Sequence, residues 1–175
     1  SERCGVVNIG IEGMMTIGAF TGAVMGLTTG NGWIAFLCAG LAGALFGLIH
    51  AFVCISCHAD QTIAGTAINF LGPGLALFLC KAMYNNSSDT PAMDPSCKLP
   101  KLFEGVFPTG SFWNNVLNVY AVAYLVFILA FVCWFVFYKT KFGAHLRAVG
   151  EHPEACESLG IDVYKVRYTC VILSG

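Results

Sequence analysis

Four polar residues lie within or beside long apolar stretches of the sequence, where polar side chains are rare and usually functional. Thr62, Thr66 and Asn69 are spaced i, i+4 and i+7, which places them on one face of a helix. They predict either hydrogen bonds to neighbouring helices or a polar route for a hydroxylated or amide-bearing solute. Glu12 is either a carboxylate in a first helical turn, which the helix dipole favours, or a pathway residue that faces a cavity.

A second group of reactive side chains, Cys54-Ile-Ser-Cys57-His58, formally matches the pattern of haem attachment. No second axial ligand is evident in the sequence, and a second ligand pair at zinc spacing is missing. We therefore expect no metal and no other cofactor, and we interpret His50 as a packed or hydrogen-bonded side chain. No Gly-x-x-x-x-Gly-Lys-Ser/Thr motif or catalytic dyad occurs, so the chain is not expected to be an enzyme or to hydrolyse ATP itself.

The elements that must position these residues follow from the scarcity of charge. Only 19 of the 175 residues are charged, which is less than half the share of about 25% in soluble domains. No charge occurs in residues 13–59, 61–80 or 105–138, and each stretch has the roughly 20 residues that a membrane-spanning helix needs. The sequence predicts an integral membrane protein. Disorder and nucleic-acid binding are excluded by the same composition and by the net charge of -1.

We predict an all-α, polytopic transmembrane helix bundle with spans at 11–29, 33–57, 61–83 and 115–138. A β-barrel is disfavoured, because the apolar stretches are continuous rather than alternating. Gly72-Pro73-Gly74 near the middle of the third span predicts a break into two half-helices. The apolar residues 168–175 predict the start of a fifth span, so we expect residues 1–175 to be a fragment of one longer transmembrane domain.

Basic residues near the span ends predict the orientation of the bundle. Five of them follow the fourth span: Lys139, Lys141, Arg147, Lys165 and Arg167. This bias places segment 139–167 in the cytoplasm and loop 84–114 outside, with Arg3 and residues 58–60 again on the cytoplasmic side. Small residues recur every fourth position in the first two spans, at Gly18, Gly22, Gly26 and Gly30 and at Ala35, Ala39, Gly43 and Gly47, which predicts close helix packing within the bundle.

The cytoplasmic segment contains a short predicted helix, with Pro153 suited to its first turn and Gly160 to its end. Glu154-Ala-Cys-Glu-Ser-Leu-Gly160 resembles the Glu-Ala-Ala-x-x-x-Gly coupling motif of ABC-importer permeases, with Cys156 in place of the second alanine. Three further segments resemble the sugar and nucleoside branch of the branched-chain amino acid and ribose permease family: residues 5–13, 60–69 and 147–163.

This resemblance implies a permease subunit of an ATP-driven importer of nucleosides or simple sugars in a prokaryotic plasma membrane. It implies three protein partners, namely a cytoplasmic ABC ATPase, a second permease subunit in a homo- or heterodimer, and an extracellular solute-binding protein. Membrane lipid is a further partner, and nucleic acid is not expected to be one. The coupling contact to the ATPase would involve Gly150, Glu151, Pro153, Glu154, Ala155 and Gly160. Two alternatives stay open at this point, an ion-coupled secondary transporter and a membrane redox protein that uses Cys54, Cys57 and His58.

Overall fold

The computed structural model describes residues 1–92 and 120–175, and these form helices with no β-strand among them. A 3-10 helix at Glu2–Cys4 is followed by seven α-helices in the described ranges. They are α1 (Ile11–Thr29), α2 (Gly32–Ala51), α3 (Gln61–Met83), α4 (Ala121–Lys139), α5 (Lys141–Glu151), α6 (Pro153–Ser158) and α7 (Val163–Ser174), and a π-helical turn at Phe52–Ser56 extends α2. The all-α class is thereby confirmed.

Within the described ranges, four helices are long and apolar enough to cross a membrane, namely Ile11–Thr29, Gly32–Ser56, Gln61–Met83 and Ala121–Lys139. They match the four predicted spans to within one residue wherever the predicted bounds fall in the described ranges. Residues 115–119 of the predicted fourth span and most of the predicted outer loop 84–114 lie outside the described residues. The predicted start of a fifth span corresponds to the second half of α7.

The third span is one continuous helix through Pro73, so the predicted break at Gly72-Pro73-Gly74 is wrong. A single buried stripe of α3 residues continues past the proline, comprising Gly65, Ile68, Gly72, Ala76 and Cys80. Packing on both sides of Pro73 holds the helix together although the proline lacks one backbone donor. Gly72 serves this packing, because a β-carbon there would lie 2.7 Å from the Cα of Gly13 on α1.

The small-residue stripes make close helix contacts inside the bundle, as predicted, except at Gly30, where a β-carbon would meet no atom within 4 Å. A β-carbon on Gly18 would lie 3.3 Å from the carbonyl oxygen of Ala39, so α1 and α2 approach closely there. The other end of the α2 stripe meets α7, because a β-carbon on Gly47 would lie 3.2 Å from the carbonyl oxygen of Val171. The short α7 therefore packs as a member of the bundle.

Three segments far apart in sequence meet at one end of the bundle. The 3-10 helix lies against α5, where a β-carbon on Gly150 would lie 3.0 Å from the carbonyl carbon of Arg3. The turn between α2 and α3 lines a common cavity with α6 and α7 through His58. The distribution of basic residues predicted that these segments lie on the same side of the membrane. Their assignment to the cytoplasmic side stays a prediction.

α4 and α5 form a corner beside the bundle. None of the residues of α4 is buried in the described structure, and its contacts are mainly with α5. The Thr140 hydroxyl caps α5 by accepting a hydrogen bond from the Gly143 N–H at 3.2 Å. The Arg147 guanidinium lies 5.5 Å from the centre of the Tyr138 ring, a cation–π contact that ties the end of α4 to α5.

Candidate translocation and coupling sites

Residues 5–10, between the 3-10 helix and α1, form an N-terminal segment without regular structure. Side chains from two spans form hydrogen bonds with its backbone groups. Gln61 Oε1 accepts a hydrogen bond from the Val7 N–H at 2.8 Å. His50 Nε2 donates to the Val7 carbonyl at 3.3 Å, and Asn69 Nδ2 donates to the Ile9 carbonyl at 3.1 Å. Such satisfaction is what a non-helical segment needs beside a bilayer, where water cannot replace missing partners.

Asn69 joins α3 to the first turn of α1. Its Oδ1 accepts a hydrogen bond from the Gly13 N–H at 2.8 Å, while its Nδ2 holds the Ile9 carbonyl. The Gly13 N–H belongs to the first turn of α1, where backbone donors have no partner in their own helix. Asn69 thus caps α1 from a neighbouring helix, and the prediction of a cross-helix hydrogen bond is confirmed for this residue.

The other three predicted pathway residues lie on the exposed surface of the described bundle. Glu12 is exposed in the first turn of α1, next to the Gly13 that Asn69 contacts. Thr62 and Thr66 are exposed on α3, and the Thr66 hydroxyl donates to the Ile63 carbonyl of its own helix at 2.9 Å. The structure thus brings Glu12 and Asn69 to one helix crossing and leaves the two threonines free to face solvent or a partner.

Two buried polar residues, Asn8 and His50, were not among the predicted site residues. Asn8 is 8% exposed, and its Nδ2 donates to the Ser174 hydroxyl on α7 at 3.0 Å. His50 is fully buried, and its hydrogen bond to Val7 confirms the interpretation of a hydrogen-bonded side chain. Both connect the N-terminal segment to the bundle, and their isolation among apolar residues was the signal that could have singled them out.

The residues of the haem-like pattern face different environments. Cys54 is buried, with its Sγ 3.7 Å from the His50 ring, whereas Cys57 is exposed. His58 has a positive φ of 53°, and its Nδ1 donates to the Ser56 carbonyl at 3.2 Å. Within residues 1–92 and 120–175, no group of three or more His, Cys, Asp or Glu side chains is arranged to hold a metal ion.

The predicted coupling helix is α6, and its two faces differ. Pro153 begins it, and Gly160 follows its end with a left-handed φ of 79°, as the sequence predicted. Cys156 is 4% exposed and packs with Val149 and Val163, which fixes the helix between α5 and α7. Away from Cys156 the helix is exposed at Glu154, Ala155, Glu157 and Ser158, and Leu159 beyond it is 78% exposed.

The remaining predicted coupling residues lie at the end of α5. Gly150 is the point where α5 touches the 3-10 helix at Arg3, and Glu151 is exposed at the last position of α5. Asp162 then caps α7 by accepting a hydrogen bond from the Lys165 N–H at 3.0 Å, and this bond together with the Lys165 ammonium lowers the pKa of the Asp162 carboxyl.

A cavity of about 250 Å³ lies between α6, α7 and the turn that follows α2. Its lining includes the charged residues Glu154, Glu157 and Arg167 together with His58 and Tyr164. The Arg167 Nε is shielded from solvent and has no hydrogen-bond partner among the described residues. The cavity therefore separates the predicted coupling helix from a charged residue of α7.

A family model described as the branched-chain amino acid transport system / permease component matches residues 1–175. The chain belongs to this permease family. The resemblance noted from the coupling motif and the three further segments is thereby confirmed.

The permease is similar along its whole length to three curated relatives. It is 45% identical over 184 residues to the guanosine ABC transporter permease protein NupQ of Bacillus subtilis and 36% identical over 181 residues to the nucleoside ABC transporter permease protein NupC of Lactococcus lactis, covering 56% of each. It is 35% identical over 175 residues to the putative glucose ABC transporter permease protein TsgC13 of Haloferax volcanii, covering 52%. No solved structure gives a significant match.

Family and structure together identify a multi-pass plasma-membrane protein, and the relatives from Bacillus and Lactococcus indicate a prokaryotic source. The chain spans about half the length of the curated relatives it matches. These relatives are transport components rather than enzymes, in agreement with the absence of a catalytic motif from the sequence.

Proposed function

We propose that this chain is part of a permease subunit that imports nucleosides, driven by ATP hydrolysis on a separate cytoplasmic ATPase. The observation that carries the proposal is α6, a six-residue helix with the coupling motif, held by a buried Cys156 on one face and exposed on the other. A helix of this length is not stable alone and is held in place by its neighbours. Its exposed face is therefore available as a rigid contact for a soluble partner.

The ATPase contact is assigned to Glu154, Ala155 and Leu159. A 78% exposed leucine beside a carboxylate fits a protein interface better than open solvent, because the leucine gains from burial. We assign Gly150, Glu151, Pro153 and Gly160 to supporting this contact from both ends of α6. Movement of α6 would pass to α7 and α5 through the cluster of Val149, Cys156 and Val163, and so change access to the transport path.

The transported solute in this proposal is a nucleoside, with a simple sugar as the second candidate. The two nucleoside-permease relatives support the first and the putative glucose permease supports the second. Glu12, Thr62 and Thr66 are exposed at the surface of α1 and α3, where a hydroxyl-rich solute could meet them once the complete transporter encloses that surface. The complete transporter would further contain a second permease subunit and an extracellular solute-binding protein.

The competing hypothesis of an ion-coupled secondary transporter drew support from a broken third span. The continuity of α3 through Pro73 removes that support. The structure does not support a redox role for Cys54 and Cys57 either, because the Cys54 thiol is buried against His50 whereas the Cys57 thiol is exposed.

The test is uptake of labelled nucleoside by proteoliposomes that contain the full-length permease, its second subunit, the ATPase and the binding protein. We expect uptake that requires ATP, resists a protonophore and is inhibited by unlabelled nucleoside more strongly than by glucose. Protonophore-sensitive uptake without ATP would contradict the proposal.

Two neighbouring substitutions on α6 test the coupling contact. Ala155→Arg places a long charged side chain on the exposed face and should abolish co-purification of the ATPase together with uptake. Cys156→Ala, on the buried face, introduces the residue of the family motif and should leave both intact. Retention of the ATPase by Ala155→Arg, and by a Glu154→Ala/Gly160→Ala double variant, would place the coupling contact elsewhere.

A further inference from the structure

We propose that Arg167 on α7 and Glu157 on α6 form an ion pair in one state of the transport cycle and separate in the other. This inference rests on the proposed function, because it gives the coupling helix a second, reversible link to the transmembrane bundle. The permanent link is the apolar cluster of Val149, Cys156 and Val163. The reversible one would close the cavity that now lies between α6 and α7.

The cavity holds a guanidinium group and carboxylates that are not joined to each other. Glu157, Glu154 and Arg167 all line it. In the described part of the chain the ion pair found joins Lys165 to Asp162, and neither glutamate is paired with Arg167. Arg167 also has an Nε that is shielded from solvent without a hydrogen-bond partner among those residues.

Two of the other polar lining residues, Gln61 and His58, are already engaged. Gln61 accepts from the Val7 N–H and donates to the Gly5 carbonyl, and His58 donates to the Ser56 carbonyl. Neither side chain offers Arg167 the negative charge that a partly buried guanidinium requires. The glutamates of α6 are the carboxylates that line the same cavity as Arg167.

Glu157 is the better partner of the two because of its position in α6. Glu154 lies in the first turn, where the helix dipole already stabilises a carboxylate. Glu157 is the penultimate residue of α6, at the end of the helix where the dipole disfavours a negative charge. A cation near Glu157 therefore stabilises its carboxylate more than a cation near Glu154 would. Glu154 also belongs to the exposed motif assigned to the ATPase, which leaves Glu157 for the contact with α7.

Closure of the cavity would strengthen the pair. In the open arrangement, water in a cavity of about 250 Å³ can hydrate both charges. When α6 moves toward α7, water leaves and the attraction between the charges grows in the lower dielectric. The pair would therefore favour the state in which α6 and α7 lie close together, and its loss would weaken the transmission of ATPase motion to α7.

The experiment is a double-mutant cycle on ATP-driven uptake by the full-length transporter in proteoliposomes. Arg167→Met and Glu157→Gln should each lower uptake about fivefold. The double variant should also lower it only about fivefold, because either single substitution already removes the whole ion pair. Independent roles would instead give a loss of about 25-fold. The charge exchange Arg167→Glu/Glu157→Arg should recover uptake relative to Arg167→Glu alone.

Lys165 on the same helix is the matched control, since its side chain is 85% exposed and already pairs with Asp162. Lys165→Met should leave uptake within about twofold of the parent, as expected for a surface ion pair. Co-purification of the ATPase is measured for every variant, because loss of the ATPase from the parent complex would contradict the proposed function rather than the ion pair. If the ATPase is retained but the neutral double variant shows multiplied losses, the ion pair is refuted. Arg167→Met, Glu157→Gln and their double variant test the ion pair even if Arg167→Glu does not fold.

Discussion

Adding one methyl group at Gly72 tests the backbone contact between α1 and α3. A β-carbon there would lie 2.7 Å from the Gly13 Cα, whereas two carbons prefer about 3.5 Å, so the helices must separate by about 0.8 Å. The same movement would lengthen the Asn69–Gly13 hydrogen bond from 2.8 Å to about 3.6 Å, which is beyond the range of such a bond.

The expected effect of Gly72→Ala combines three contributions. Overpacking costs about 1–3 kcal/mol, and the lost hydrogen bond costs about 1 kcal/mol. Alanine is a better helix former than glycine by about 1 kcal/mol, which offsets part of this loss. The net change is a destabilisation of about 1–3 kcal/mol, or about 3 °C in Tm for each kcal/mol in a chain of this size.

Gly74→Ala is the matched control, because a β-carbon at Gly74 meets no atom within 4 Å. It lies on the other side of Pro73 in the same helix and should raise Tm slightly or leave it unchanged. The measurement is thermal unfolding of the purified full-length permease in detergent, followed by loss of the monodisperse peak in size-exclusion chromatography. A Gly72→Ala variant as stable as the Gly74→Ala variant would refute the close crossing of α1 and α3.

Three further predictions concern other contacts. Asn69→Leu should lower the unfolding free energy by about 1 kcal/mol through the loss of the hydrogen bonds to Gly13 and Ile9, while Thr66→Ala, whose hydroxyl bonds within its own helix, should change it little in the same assay. An impermeant thiol reagent should label Cys97, which lies outside the described residues, on intact cells. The same reagent should label a Ser158→Cys variant only in inside-out vesicles. The reverse pattern would show that the predicted membrane orientation of the bundle is inverted. The Asp162 cap should stabilise the fold at pH values above the usual aspartate pKa of about 4, and this stabilisation should be lost as pH falls through the lowered pKa of Asp162. In Asp162→Asn the free energy of unfolding should therefore depend less on pH in this acid range.

The positions of the spans could be predicted because membrane helices are bounded by charge and turn signals. Asp60 illustrates this, since it ends one uncharged stretch and its carboxylate caps α3 through the Thr62 and Ile63 N–H groups. The helix α5 was missed because it is only 11 residues long and lies within a polar segment. Its buried stripe of Gly143, Leu146 and Val149 does follow helical spacing and was the available signal.

The site was predicted less completely, because residue types do not specify their partners. Gly72 and Pro73 predicted a break, but the purpose of Gly72 depends on Gly13, which lies 59 positions earlier in the sequence. Asn69 was predicted as a pathway candidate or a cross-helix hydrogen-bond partner, but its two partners, Gly13 on α1 and Ile9 just before it, depend on how the helices cross. The hydrogen bonds of Gln61 and His50 to the N-terminal segment also depend on how the helices cross. Nothing in the local sequence of either residue indicates which backbone groups it contacts.

The irregular segment before α1 has a consequence for biosynthesis. Its backbone partners His50, Gln61 and Asn69 follow their contact residues by 43, 54 and 60 positions, so a ribosome makes the segment well before the side chains that complete it. Until α3 has entered the membrane, the Val7 and Ile9 backbone groups must stay hydrated or be shielded by the insertion machinery. The mature position of the N-terminal segment is therefore reached only after α1, α2 and α3 are in the bilayer, and a stall between α2 and α3 would leave it exposed to proteases.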